Sequence, residues 1–123
     1  GTLFDAVATT DSANVWQQPA NSILLNAKMV LDTQFVAAGM TDLDVTLGDA
    51  GDVDGLLAPG AHNLTSDAIT TQYKTKGAYF DATAGTLLKG TATQWLGYST
   101  AVGANLSTLS AGAVSFYFTY IQL

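Results

Sequence analysis

The run Asp42-Leu43-Asp44-Val45-Thr46-Leu47 alternates without a fault: Leu43, Val45 and Leu47 to one side, Asp42, Asp44 and Thr46 to the other. Successive side chains of a β-strand point to opposite faces, so this period of two, apolar against polar, reads as a half-buried strand. Two flanking segments repeat it. Upstream, Ile23, Leu25, Ala27, Met29 and Leu31 share one face while Asn26, Lys28 and Asp32 take the other, with Val30 out of pattern. Downstream, within Ala113–Leu123, Val114, Phe116, Phe118 and Tyr120 oppose Ser115, Tyr117, Thr119 and Ile121. Shorter candidates are Thr2–Thr9, Ala68–Tyr73, Gly77–Phe80, Gly85–Lys89 and Thr93–Tyr98, which brings the expectation to about eight short strands. Glycines at 39, 48, 51, 55, 77, 85, 90, 97, 103 and 112, with Pro59-Gly60, punctuate them as turns. No sustained helical stripe exists, although Thr65–Gln72 has room for one helical turn. The pattern predicts an all-β chain, an antiparallel sandwich or barrel forming one domain over residues 1–123. Gly1–Asn14 is placed to act as an N-terminal arm.

Composition narrows the chemistry. The chain has 123 residues, a net charge of −6 and no Cys. It also lacks Glu and Arg; its charge comes from ten Asp and four Lys, and His62 is its one histidine. Disulfides, thiolate metal sites and cysteine nucleophiles are excluded. Scattered Lys28, Lys74, Lys76 and Lys89 make no basic patch, so no nucleic-acid partner is expected. Ile23–Leu31 is too short to span a membrane, and Gly1-Thr2-Leu3-Phe4-Asp5 lacks the basic and apolar regions of a signal peptide. Charged residues are only 11% and apolar ones 48%, a profile for a folded domain with much of its surface covered.

Three constellations invite a chemical reading. Asp42, Asp44, Asp49, Asp52 and Asp54 alternate with Gly48, Gly51 and Gly55, and hard cations such as Ca²⁺ take oxygen ligands on tight loops. An EF-hand register fails, because placing Gly55 at the sixth loop position puts Ala50 first and Ala61 last. Asp49, Asp52 and Asp54 remain as candidates for an irregular Ca²⁺ loop. The competing reading makes them turn-capping residues, with no metal and no cofactor. His62 is the one available general base, but no Gly-x-Ser-x-Gly elbow accompanies it, and an enzyme is not expected. Trp16, Trp95, Tyr73, Tyr79, Tyr98 and Tyr117 can stack on sugars, or fill a core and an interface.

The last strand has apolar side chains on both faces, since Tyr117 and Ile121 lie opposite its phenylalanines and Leu123 follows. A one-sided sandwich strand shows a polar face to water. A subunit, the N-terminal segment or another partner should therefore cover this one, and a homo-oligomer is the favoured cover.

Longer phrases carry a resemblance. Phe35-Val36-Ala37-Ala38-Gly39-Met40-Thr41 leading into Asp42–Asp49, then Gly51–Leu57, resembles a segment of small virion proteins of tailed bacteriophages. So do Gly77-Ala78-Tyr79-Phe80, the ending Gly103–Ile121, and Gln18-Pro19-Ala20-Asn21-Ser22-Ile23 ahead of the long second strand. The match covers roughly residues 17–121 and has no catalytic motif. It implies a jelly-roll-like β-sandwich acting as a capsid decoration (cement, or head auxiliary) protein. Such a protein would sit as a homotrimer on the outer surface of the virion and bind the assembled shell of the major capsid protein. On that reading Tyr117, Ile121 and Leu123 contribute to oligomer or capsid contacts. The alternative is a head-fibre or tail-fibre module binding host-surface glycans.

Overall fold

The computed structural model describes residues 4–58, 60, 62–80 and 93–123. Seven strands lie among them: β1 (Thr10–Gln17), β2 (Ser22–Val36), β3 (Asp42–Asp49), β4 (Asp52–Leu57), β5 (Gln72–Tyr73), β6 (Gln94–Val102) and β7 (Ala111–Gln122). They form two antiparallel sheets, one in the order β1-β6-β3-β4 and one in the order β5-β2-β7. The chain is a single-domain β-sandwich. Seven described strands fall one short of the eight of a full jelly roll.

Most consecutive strands lie in different sheets. β1 crosses to β2, β2 to β3, β4 to β5, β5 to β6 and β6 to β7, and among the described strands only the β3–β4 hairpin joins sequence neighbours within one sheet. Two of these crossings touch. Gly39 and Gly103 both hold positive φ, at 81° and 93°, and a Cβ on Gly103 would stand 2.2 Å from the Gly39 carbonyl oxygen. Only glycine fits a backbone approach of that kind.

The core lies between the sheets. Leu43, Val45 and Leu47 of β3 point into it as the alternation predicts, against Leu24, Met29 and Leu31 of β2 and the fully buried Trp95 of β6. β2 is where periodicity misleads. Its register against β7 slips between Leu24 and Asn26, between Leu31 and Thr33 and again between Thr33 and Val36, each time with an extra residue on β2. The first bulge changes the parity: Leu24 is buried with Ala27, Met29 and Leu31, while Ile23 and Leu25, expected inward, face out.

Other expectations need correction. Thr2–Thr9 is not the first strand among its described residues; the strand begins at Thr10, where β1 pairs with β6 from Thr10↔Thr100. Residues 4–14, within the segment expected as an N-terminal arm, pack on the described sandwich. Phe4 is buried, and Leu106 and Ser107 donate backbone hydrogen bonds to the carbonyls of Ala8 and Ala6. Asp52 and Asp54, expected on a loop or in a turn, lie on β4. Gly77–Phe80 is a turn, Thr65–Gln72 forms no helix, and the one short 3₁₀ turn described is Leu106–Thr108. Gly85–Lys89 lies outside the described residues.

The two sides of the sandwich differ. On the β4–β5 side a bridge joins Leu57 to Lys76, and Ala58 donates to the Thr75 carbonyl. On the β1–β7 side both strands are edges. What spans the gap there is aromatic: Trp16 of β1 stacks on Phe118 of β7 at 4.5 Å between ring centres, with Tyr120 at 5.3 Å.

Candidate interaction surface

The pairing of β2 with β7 fixes which side chains share a face. Leu24↔Tyr120, Ala27↔Phe118, Met29↔Phe116 and Leu31↔Val114 line the inner face, and Ile23↔Ile121, Asn26↔Thr119 and Lys28↔Tyr117 line the outer one. The outer face is apolar toward one end. Ile23 and Ile121 lie side by side at 42% and 48% exposure, Leu25 at 39% and Tyr117 at 50%, and Leu123 follows at 76%. Lys28 reaches over the Tyr117 ring, its Nζ 5.3 Å from the centroid, and covers part of it.

Tyr117, Ile121 and Leu123, the residues expected at an interface, thus lie outward and exposed. Ile23 and Leu25 join them, and sequence reasoning missed both by assigning them to the core. The signal was there in Ile23-Leu24-Leu25, three apolar residues in a row that one-sided alternation cannot place together.

The edge of β7 adds a second property. Ala111–Leu123 contains no charge and no proline, and among the described residues no strand pairs with its far side. Exposed edges are usually blunted by lysine, proline or a bulge. Here every register slip adds its extra residue to β2 and none to β7.

The aspartates take structural positions. Asp49 is buried at the β3–β4 turn, where its Oδ1 accepts from the backbone N–H groups of Gly51 and Asp52, both at 3.0 Å, and from the Tyr79 hydroxyl at 2.6 Å. Tyr79 is held in turn by Gly55, over which its ring lies so closely that a Cβ would stand 2.5 Å from two ring carbons. Asp52 and Asp54 sit on β4, two residues apart on one strand face. Asp52 beside it pushes the Asp54 carboxyl above the usual carboxylate range. Among the described residues, no three His or Asp side chains gather closely enough to hold a metal ion.

His62 lies against β3, with Nδ1 3.0 Å from Asp44 Oδ1 and its ring edge-on to Tyr73 at 4.6 Å. Burial raises the Asp44 carboxyl above its ordinary value, and the His62 hydrogen bond opposes that only in part. Tyr73 donates to Asp67 Oδ2 at 2.8 Å, and burial with that carboxylate raises the phenol. Asn63 ties the same segment down by donating to the Thr41 carbonyl and accepting from Thr65. These contacts fasten the connection between β4 and β5 across β3.

The aromatic platform divides. Trp95 has no exposed surface and donates its indole N–H to Gln18 Oε1 at 3.0 Å, so it cannot meet a sugar; Trp16 and Tyr120 stand at the open side. A groove of about 440 Å³ runs between Phe4, Phe35, Leu106, Leu109 and the start of β7.

The architecture is therefore that of an antiparallel two-sheet sandwich that leaves apolar side chains exposed on the outer face of β2 and β7. The sequence matches no protein-family model and no curated protein. Among solved structures, a chain of the cyanophage Pam1 capsid asymmetric unit has the same fold, with a TM-score of 0.60 and 20% sequence identity. The likeness covers 95% of this chain and 76% of that one. At that identity the two are alike in fold.

Proposed function

We propose that this chain is a structural protein of a tailed-phage virion, a capsid decoration protein that binds the outside of the assembled major-capsid-protein shell as a homotrimer and holds it together. The observation that carries the reading is the sandwich fold shared with a chain of a phage capsid asymmetric unit across nearly all of this chain. The apolar outer face of β2 and β7 supports it, because Tyr117, Ile121 and Leu123 offer contact area that a solitary domain leaves wet.

The mechanism is thermodynamic and needs no catalytic group. A protein that binds only the assembled, expanded shell stabilises that state by mass action, and the gain grows with its free concentration relative to Kd. Packaged DNA presses outward on the shell, and the bound protein raises the free energy of the opened state relative to the closed one.

Quantitative mass spectrometry of purified particles tests the reading. The expected result is a copy number equal to the major capsid protein or a fixed large fraction of it. A handful of copies per particle would move the chain to a fibre, with glycan binding through Trp16 as the next question. Absence from particles would overturn the virion reading.

A further inference from the structure

The seven strands divide their charge unevenly. β1, β3 and β4 carry Asp11, Asp42, Asp44, Asp49, Asp52 and Asp54 with no lysine, and β6 carries no charge. The strands of the other sheet carry Lys28 and Asp32 on β2, one of each sign, and nothing on β5 or β7. One sheet is acidic and the other is neutral. The exposed apolar group Ile23, Leu25, Tyr117, Ile121 and Leu123 lies entirely on or beside the neutral one.

That asymmetry bears on the kind of partner. When a protein packs against its own copies, equal charges are brought toward one another, most directly where the same patch meets itself about a two-fold axis. A sheet that carries six carboxylates, of which Asp49 is buried, is poorly suited to that, whereas a sheet with one charge of each sign is not opposed by its copy. An unrelated basic partner would be met best by the acidic sheet.

We propose that the apolar end of the neutral sheet, outward from β2 and β7 at Ile23, Leu25, Tyr117, Ile121 and Leu123, is the seat of a second copy of this chain. The acidic sheet then faces away from the axis of association. Because the patch lies toward one end of its sheet, copies gather there without bringing their carboxylates together. The inference deepens the oligomer part of the proposed function and rests on that part, not on binding to a shell.

Sedimentation velocity on the full chain, over a concentration series at low salt and at about 1 M NaCl, tests it, since screening weakens contacts between exposed charges and spares apolar ones. Self-association that salt leaves intact or tightens is expected. Ile121→Asp and, separately, Tyr117→Asp should each weaken it by about tenfold or more, by setting like charges against each other. Asp52→Asn, on the acidic sheet, should leave it unchanged. Circular dichroism establishes that each variant is folded, and Tyr117→Asp carries the test alone if Ile121→Asp fails there. A monomer at every concentration, an oligomer that high salt dissolves, or full association in the folded Asp variants would overturn the proposal. Failure of the virion reading looks different: the salt-resistant oligomer forms while purified particles contain none of the chain.

Discussion

Gln18 is buried to 1% exposure, and its amide is committed at both ends. Oε1 receives the Trp95 indole N–H, Nε2 donates to the Ser22 carbonyl at 3.2 Å, and its backbone N–H donates to the Thr93 carbonyl. Gln18→Ala should therefore cost about 2–4 kcal/mol in urea unfolding, since it opens a cavity and strands a buried indole donor. Asp44 makes a pH prediction with a definite sign. Its folded value lies above the 3.8 of an unfolded aspartate, so its protonation favours the fold. That stabilisation is fully present below the unfolded value and is lost as pH rises through the folded one. Asp44→Asn should flatten the fall in stability just above pH 3.8, as measured by denaturant midpoints in a pH series. Asp49 supports a third expectation. With Oδ1 already receiving Gly51, Asp52 and Tyr79, chelator should leave the melting temperature unchanged, and Asp49→Ala should lower stability with or without Ca²⁺.

Strand β2 offers the clearest test of an element's geometry. Leu24 is fully buried and Leu25 exposed, so Leu24→Ala should cost about 2–5 kcal/mol and Leu25→Ala under about 1 kcal/mol. Equal costs would mean that the bulge is misplaced. This strand also marks how far the sequence can be read. β3 was legible because its turns and period agree over six residues; β2 was half legible because an extra residue in a strand reverses which side chains face the core. A bulge is dictated by the partner strand, and β7 lies almost ninety residues further on. β4 was read as a turn because Asp52-Val53-Asp54-Gly55 has loop composition, yet pairing with β3 and the cover of Tyr79 over Gly55 hold it extended. Of the interaction surface, Tyr117, Ile121 and Leu123 were legible because a two-sided apolar strand is visible in one segment. Ile23 and Leu25 were not, and neither was the division of charge between sheets, because β1, β3, β4 and β6 become one surface only through the topology.

At the scale of the molecule, the connectivity has a kinetic consequence. β1 finds its place only against β6, where Thr10 meets Thr100, and β2 against β7, where Ser22 meets Gln122, and against β5, where Met29 meets Tyr73. Pairings between such distant parts of a chain must offset loop closure before they are rewarded, and folds built from them form in roughly milliseconds to seconds. Among the described strands only the β3–β4 hairpin can form locally. Refolding from denaturant should therefore be slow and lose yield as concentration rises, which stopped-flow fluorescence of Trp16 and Trp95 and light scattering would record together. Meanwhile β7, uncharged along its length, waits unpaired on both edges. The order of events then matters more than the final affinity: a copy that meets another before β2 has claimed β7 can pair strands wrongly, and one that meets it afterwards presents a finished surface. Thirteen uncharged residues, Ala111–Leu123, turn a property of the native face into a race between folding and encounter.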